Sequence, residues 1–121
     1  MLNYLFIRQD GEFSKISCAD IVYVEALKKY VRIVTTKRTY LMLVSMRHVE
    51  EVLPTDEFCR IHRSYIVSLS HVIKFNNEVV SIGSKDFPIG QQYKGLLQKR
   101  VVTLMNEPKK MKSPDYNVAD E

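Results

Sequence analysis

With 121 residues, 45% hydrophobic and 26% charged, the chain has the composition of one soluble globular domain that buries a single core. Four Gly and four Pro exclude a collagen-like chain or a flexible linker, and no apolar run approaches the roughly 18–20 residues that cross a bilayer. The net charge is +4 for the whole chain and +5 for residues 1–105, a mildly basic body suited to a polyanionic partner.

The N-terminus lacks a basic start and its apolar stretch is short, so it is not a secretory signal. Residues 4–7 and 13–16 read as strands around Asp10-Gly11, a hairpin-type turn. Ile21-Val22-Tyr23-Val24-Glu25-Ala26 is β-branched and aromatic, a third strand. After Leu27-Lys28-Lys29 the chain returns as a strand over 30–35, with Val31 and Ile33 on one side and Tyr30 and Arg32 on the other. Thr36-Lys37-Arg38 forms a polar turn before a strand over 39–44.

The period then changes. Ser45 caps a short helix whose apolar face is Met46, Val49, Val52 and Leu53, with Glu50 and Glu51 outward. Leu53-Pro54 stops it. Strands are expected over 58–61, 65–69, 72–75, 79–82 and 87–89. Tyr93, Leu96, Leu97, Val101 and Leu104 then recur at helical spacing and predict a terminal amphipathic helix over 91–105. From Asn106 the chain is polar and holds two of the four prolines, which predicts a flexible tail over 106–121. The expected whole is a mainly β domain, residues 1–105, with one short internal helix and one C-terminal helix.

Little in the sequence speaks for catalysis. No Gly-x-Ser-x-Gly elbow, phosphate-cradling glycine loop or dinucleotide fingerprint is present. His62 and His71 stand nine positions apart, not at the one-face spacing of a zinc protease. Cys18 and Cys59 form no Cys-x-x-Cys pair and no metal-type spacing with a His, so they read as reduced thiols of a cytoplasmic protein. The expectation is a non-enzyme without metal or cofactor.

Basic and amide residues gather instead at strand ends. Arg60-Ile61-His62-Arg63-Ser64 leads straight into the apolar run Tyr65-Ile66-Val67. Arg60 and Arg63 supply rigid forks suited to phosphate oxygens or a guanine edge, and Ser64 a phosphate donor. His62 reads locally as a turn residue bonded to backbone. Lys28, Lys29 and Lys85 lie in turns. Gly90-Gln91-Gln92 opens the predicted last helix, where free N–H groups suit phosphate and a Gln amide suits adenine. No strand shows the paired surface aromatics of an RNA-recognition sheet, so Tyr30, Tyr65 and Tyr93 read as core or rim. The readings to be weighed are a double-stranded DNA binder, a protein-interaction module using exposed strand edges, and a single-stranded nucleic-acid binder.

Taken in order, these segments resemble the LytTR-type DNA-binding domain, the output module of many bacterial response regulators. The resemblance covers residues 3–104. It rests on Asp20-Ile21-Val22-Tyr23-Val24-Glu25-Ala26, Tyr30-Val31-Arg32-Ile33, Ser45-Met46, Leu53-Pro54 with Phe58, Arg60-Ile61-His62-Arg63-Ser64-Tyr65-Ile66-Val67, and Phe87-Pro88-Ile89-Gly90 with Tyr93. It implies an elongated, mostly antiparallel β domain that inserts loops into successive major grooves of double-stranded DNA. The loops implied are Leu27-Lys28-Lys29, the His-Arg-Ser segment with Arg63 toward bases and Arg60 and Ser64 toward phosphates, and Gly90-Gln91-Gln92. Many relatives carry Ser and Arg where this chain has Gly90 and Gln92, a change from a guanine fork to an amide that reads adenine. The resemblance further implies direct-repeat sites, homodimers on DNA, and an N-terminal receiver domain, which these 121 residues do not contain.

Overall fold

The computed structural model describes residues 3–105; the tail expected over 106–121 lies outside the described residues. β1 (Tyr4–Gln9) and β2 (Glu12–Ser17) form a hairpin, closed by Asp10 and Gly11 at φ 52° and 79°. Two consecutive positive φ values match the right-handed twist of the flanking strands, which is why Asp-Gly serves there. β3 (Ile21–Ala26), β4 (Val31–Thr35), β5 (Thr39–Met42), β6 (Phe58–His62) and β7 (Tyr65–Ser68) form a five-stranded sheet in the order β5-β4-β3-β7-β6. β8 (Lys74–Phe75), β9 (Val79–Ile82) and β10 (Lys85–Pro88) form a third sheet, order β10-β9-β8, and every strand pairing is antiparallel.

The central sheet is buried on both faces, and strand alternation decides which side chain goes where. Val24, Val31, Ile33 and Ile66 pack with Ile7 and Ile16 of the hairpin and with the internal helix, α1 (Met46–Val52). Cys59, Ile61 and Val67 pack with Val80, Phe87 and Leu97. Ser45 caps α1 as expected, its Oγ accepting the His48 N–H at 3.0 Å, and Met46, Val49 and Leu53 are buried while Val52 remains exposed. Both cysteines are free and buried. Burial pushes each thiol above its ordinary pKa, and at Cys59 nearby Arg100 opposes that rise.

The C-terminal helix differs from its expected span. Residues 91–93 form a single 3-10 turn, Gly95 takes φ 86°, and α2 covers only Leu96–Arg100. A left-handed residue cannot continue a right-handed helix, so the run breaks there. Leu97 is buried, whereas Val102 and Leu104 are fully exposed and belong to no helix. Arg100 fastens α2 to the sheet by donating to the carbonyls of Thr55 and Phe58, each at 2.9 Å. Smaller differences lie at strand ends. β5 stops at Met42, residues 69–71 form a 3-10 turn, and β10 begins at Lys85.

A second difference concerns aromatics. β1 does carry paired surface rings: Tyr4 and Phe6 are exposed and meet edge to face at 6.0 Å. Phe13 of β2 is exposed beside them, with Arg8 over its ring and Lys15 over Tyr4. The hairpin covers the core with only one of its faces, a fact that the short apolar run 4–7 does not reveal.

Candidate nucleic-acid interface

The β6–β7 turn is the centre of the candidate interface. Neither Arg63 nor Ser64 has a positive φ, although two-residue hairpin turns favour one. A register shift between Arg60 and His62 accommodates the twist instead. Side chains then brace the turn from below. Arg60 Nε donates to the His62 carbonyl at 2.9 Å and Nη2 donates to the Arg63 carbonyl. Nη1 pairs with Glu50 of α1 at 2.8 Å, and the Arg60 side chain is only 15% exposed. His62 Nδ1 accepts the Ser64 N–H at 3.0 Å, which puts the proton of the neutral ring on Nε2.

Two backbone hydrogen bonds tie the flanking loops to this turn. Ala26 N–H donates to the Ser64 carbonyl at 2.9 Å, so the β3–β4 loop starts against the turn. Leu27 N–H donates to the Tyr30 carbonyl at 2.8 Å and closes that loop, leaving Lys28 and Lys29 exposed. On the other side, Gly90 N–H donates to the Ile61 carbonyl at 2.8 Å. A Cβ on Gly90 would lie 3.1 Å from Tyr93 Cδ2 and 3.5 Å from His62 Cα, so the residue permits a close approach that a Ser there would crowd. Gln91 and Gln92 follow, both exposed, and Tyr93 turns back toward Arg60, whose Cζ lies 5.9 Å from its ring centre.

Lys28, Lys29, Arg60, His62, Arg63, Ser64, Gly90, Gln91 and Gln92 therefore occupy one edge of the molecule. Lys85 does not join them. It sits at the opposite end of β10, with Nζ 5.4 Å from the Phe87 ring centre and 5.9 Å from that of Tyr23. Arg63 is exposed and its guanidinium has no hydrogen bond or ion pair among the described residues. Arg60, in contrast, spends its guanidinium within the chain. The amides at 91–93 open a single 3-10 turn rather than the long helix expected, so no helix dipole stands behind them. Sequence reasoning missed Glu50, which its helix face correctly places outward but which a β-strand arginine reaches across to meet.

The edge presents donors: two ammonium groups, one guanidinium without a partner among the described residues, a hydroxyl and two amides. Such a set suits an acceptor-rich, anionic surface. Among the described residues no group of three or more His, Cys, Asp or Glu could hold a metal ion, and no helix is long and apolar enough to cross a membrane.

The chain is 34% identical over 83 residues to the CO-responsive transcriptional regulator RcoM of Rhodospirillum rubrum, a match covering 63% of this chain and 35% of that protein. It is 32% identical over 91 residues to the sensory transduction protein LytT of Bacillus anthracis, covering 69% of this chain and 37% of LytT. The chain thus spans little more than a third of the length of these relatives. A solved LytTr DNA-binding domain of a methyl-accepting/DNA response regulator from Bacillus cereus superposes with a TM-score of 0.70 at 22% identity, covering 83% of this chain and 97% of that one, and so shares the fold. The family model of the LytTr DNA-binding domain matches residues 11–101. That span is most of the chain, and the chain belongs to the LytTR DNA-binding domain family.

Proposed function

We propose that this domain binds double-stranded DNA sequence-specifically, as the output module of a bacterial two-component response regulator working in the cytoplasm. The observation that carries this reading is the pair of backbone bonds, Ala26 to Ser64 and Gly90 to Ile61, which draws three polar loops to one edge. Loops held on a rigid β scaffold enter successive major grooves along one side of the duplex. Arg63 reads a base edge, Lys28 and Ser64 hold phosphates, and Lys29 and Gln92 reach further base edges. Lys85 adds a phosphate contact one strand length away. Two copies bind direct repeats as a homodimer on the DNA, and a receiver domain elsewhere in the regulator controls them.

Selection of bound duplexes from a random pool tests this directly. A defined, enriched motif is the expected result, and a pool that stays random after selection would overturn it. Arg63→Ala is expected to weaken binding to the selected site by about 1–3 kcal/mol and to relax discrimination at one base pair. Equal binding by that variant in a gel-shift titration removes Arg63 from the readout.

Arg60 acts as a positioning residue rather than a phosphate ligand, because its donors already hold the His62 and Arg63 carbonyls and Glu50. Arg60→Met is therefore expected to weaken binding to all sequences by about tenfold while leaving the slope of affinity against salt unchanged. A slope reduced by about one would identify a lost phosphate contact instead.

A further inference from the structure

The outer face of the β1–β2 hairpin belongs to no part of the loop edge and covers no core. Tyr4 pairs with Ser17, Phe6 with Lys15 and Arg8 with Phe13, which puts these six residues on one face. Leu5, Ile7 and Ile16 take the opposite face, toward the core. Tyr4, Phe6 and Phe13 are 46%, 54% and 69% exposed. Phe6 and Phe13 stand on one diagonal of the face and Arg8 and Lys15 on the other, each diagonal about 7–8 Å across. The Arg8 guanidinium lies 5.8 Å from the Phe13 ring centre, and the Lys15 ammonium 4.3 Å from that of Tyr4. Neither cation has an ion-pair partner among the described residues. Glu12 falls on the opposite alternation, across from Gln9, so the six residues hold two cations and no carboxylate.

We infer that this face binds single-stranded DNA, with bases stacked on Phe6 and Phe13 and phosphates held by Arg8 and Lys15. The composition of the face decides the occupant. Every apolar side chain on it is a ring, so it offers flat π surfaces and no aliphatic chain to enter a lipid layer. A second copy docked there would set Arg8 and Lys15 against their own counterparts with no carboxylate between them. A nucleic-acid strand supplies what both diagonals lack, π faces for the rings and anions for the cations. Exposed rings on adjacent antiparallel strands take successive unpaired bases, and such stacking accepts every base. The face holds no carboxylate or amide to accept from a ribose 2′-hydroxyl, so RNA gains nothing over DNA there. The site is independent of the duplex reading, because none of the six residues lies in the three loops.

The test uses the full chain, labelled with ¹⁵N, and an oligothymidylate of about ten nucleotides, which cannot pair with itself. The oligonucleotide is expected to shift the amide signals of Phe6, Phe13 and Lys15 most strongly. Phe6→Leu and Phe13→Leu keep an apolar side chain and remove the stacking face. Each is expected to weaken oligothymidylate about tenfold in an anisotropy titration, while Phe13→Tyr binds as the parent does. Both side chains are exposed, and the amide spectrum of each variant reports its fold. Phe6→Leu is expected to bind the selected duplex with unchanged affinity, so a failure here and a failure of the duplex reading are told apart. The inference is overturned by shifts confined to the three loops, by leucine variants that bind oligothymidylate as the parent does, or by tighter binding of oligouridylate. It is equally overturned if phosphatidylserine vesicles, or a rise in protein concentration alone, shift the hairpin amides as the oligonucleotide does.

Discussion

The affinity of the domain for its duplex site is expected to fall by about two decades as salt rises from 50 to 200 mM. The physical source is counterion release, in which each phosphate neutralised by Lys or Arg frees about one condensed cation. The candidate edge offers Lys28, Lys29 and Arg63 as exposed cations, with Lys85 further along. Lys28 and Lys85 at phosphates, and Lys29 and Arg63 in the grooves between them, each displace about one condensed counterion, and four such charges correspond to about two decades. Arg60 does not raise the count, because Glu50 already neutralises it at 2.8 Å. Lys94 does not either, being held by Glu78 at 3.1 Å and by the Asn77 carbonyl. Fluorescence anisotropy across a salt series reads the slope. A flat response would exclude phosphate-dominated binding and favour a protein-interaction module. A steep response that prefers unpaired strands would point to the exposed rings of Tyr4, Phe6 and Phe13 as a stacking surface.

Phe87→Ala is expected to lower the free energy of unfolding by about 3–5 kcal/mol. Phe87 is 1% exposed and is the largest of the fully buried side chains. Its ring centre lies 4.7 Å from that of Tyr23 and 5.1 Å from that of Tyr65, so it joins the third sheet to the central one. Truncation removes both ring contacts and leaves a cavity that β-sheet packing closes poorly. Total stability for a domain of this size is on the order of 5–15 kcal/mol, so the variant loses a large part of it. The effect reaches the candidate interface, because Gly90, Gln91 and Gln92 follow β10 after the single residue Ile89. Urea denaturation checks the prediction, and a change below about 1 kcal/mol would show that Phe87 is not the keystone between the sheets.

Much of the fold was legible because local rules and tertiary demands agree. Val31 and Ile33 alternate with Arg32, and the strand buries the two apolar side chains as that period requires. Ser45 and Pro54 bracket α1, since a hydroxyl cap and a missing N–H act within one turn of chain. The terminal helix misled for the same reason in reverse. Tyr93, Leu96, Leu97, Val101 and Leu104 keep helical spacing, but Gly95 adopts φ 86° and ends the period. Nothing in the spacing shows whether a glycine will use its left-handed freedom, because the packing of its neighbours decides it. The hairpin aromatics were missed on similar grounds. A strand's alternation separates two faces without saying whether the second is covered.

The sequence by itself determined the mainly β class, the short capped helix, the basic character of the body and the order of segments that marks the LytTR family. The first three follow from periodicity, capping and composition, which act over a few residues, and the last rests on resemblance to the family. Only the tertiary structure decided that positions 26, 64, 61 and 90 share hydrogen bonds, and so that loops far apart in the chain form one edge. It alone showed that Arg60 is a brace and that Arg63 has no partner among the described residues, although both are arginines near the same histidine. The difference arises because a guanidinium's role depends on which acceptors lie within reach. Here Glu50 arrives from a helix ten positions earlier, brought there by the packing of two elements and not by any local pattern.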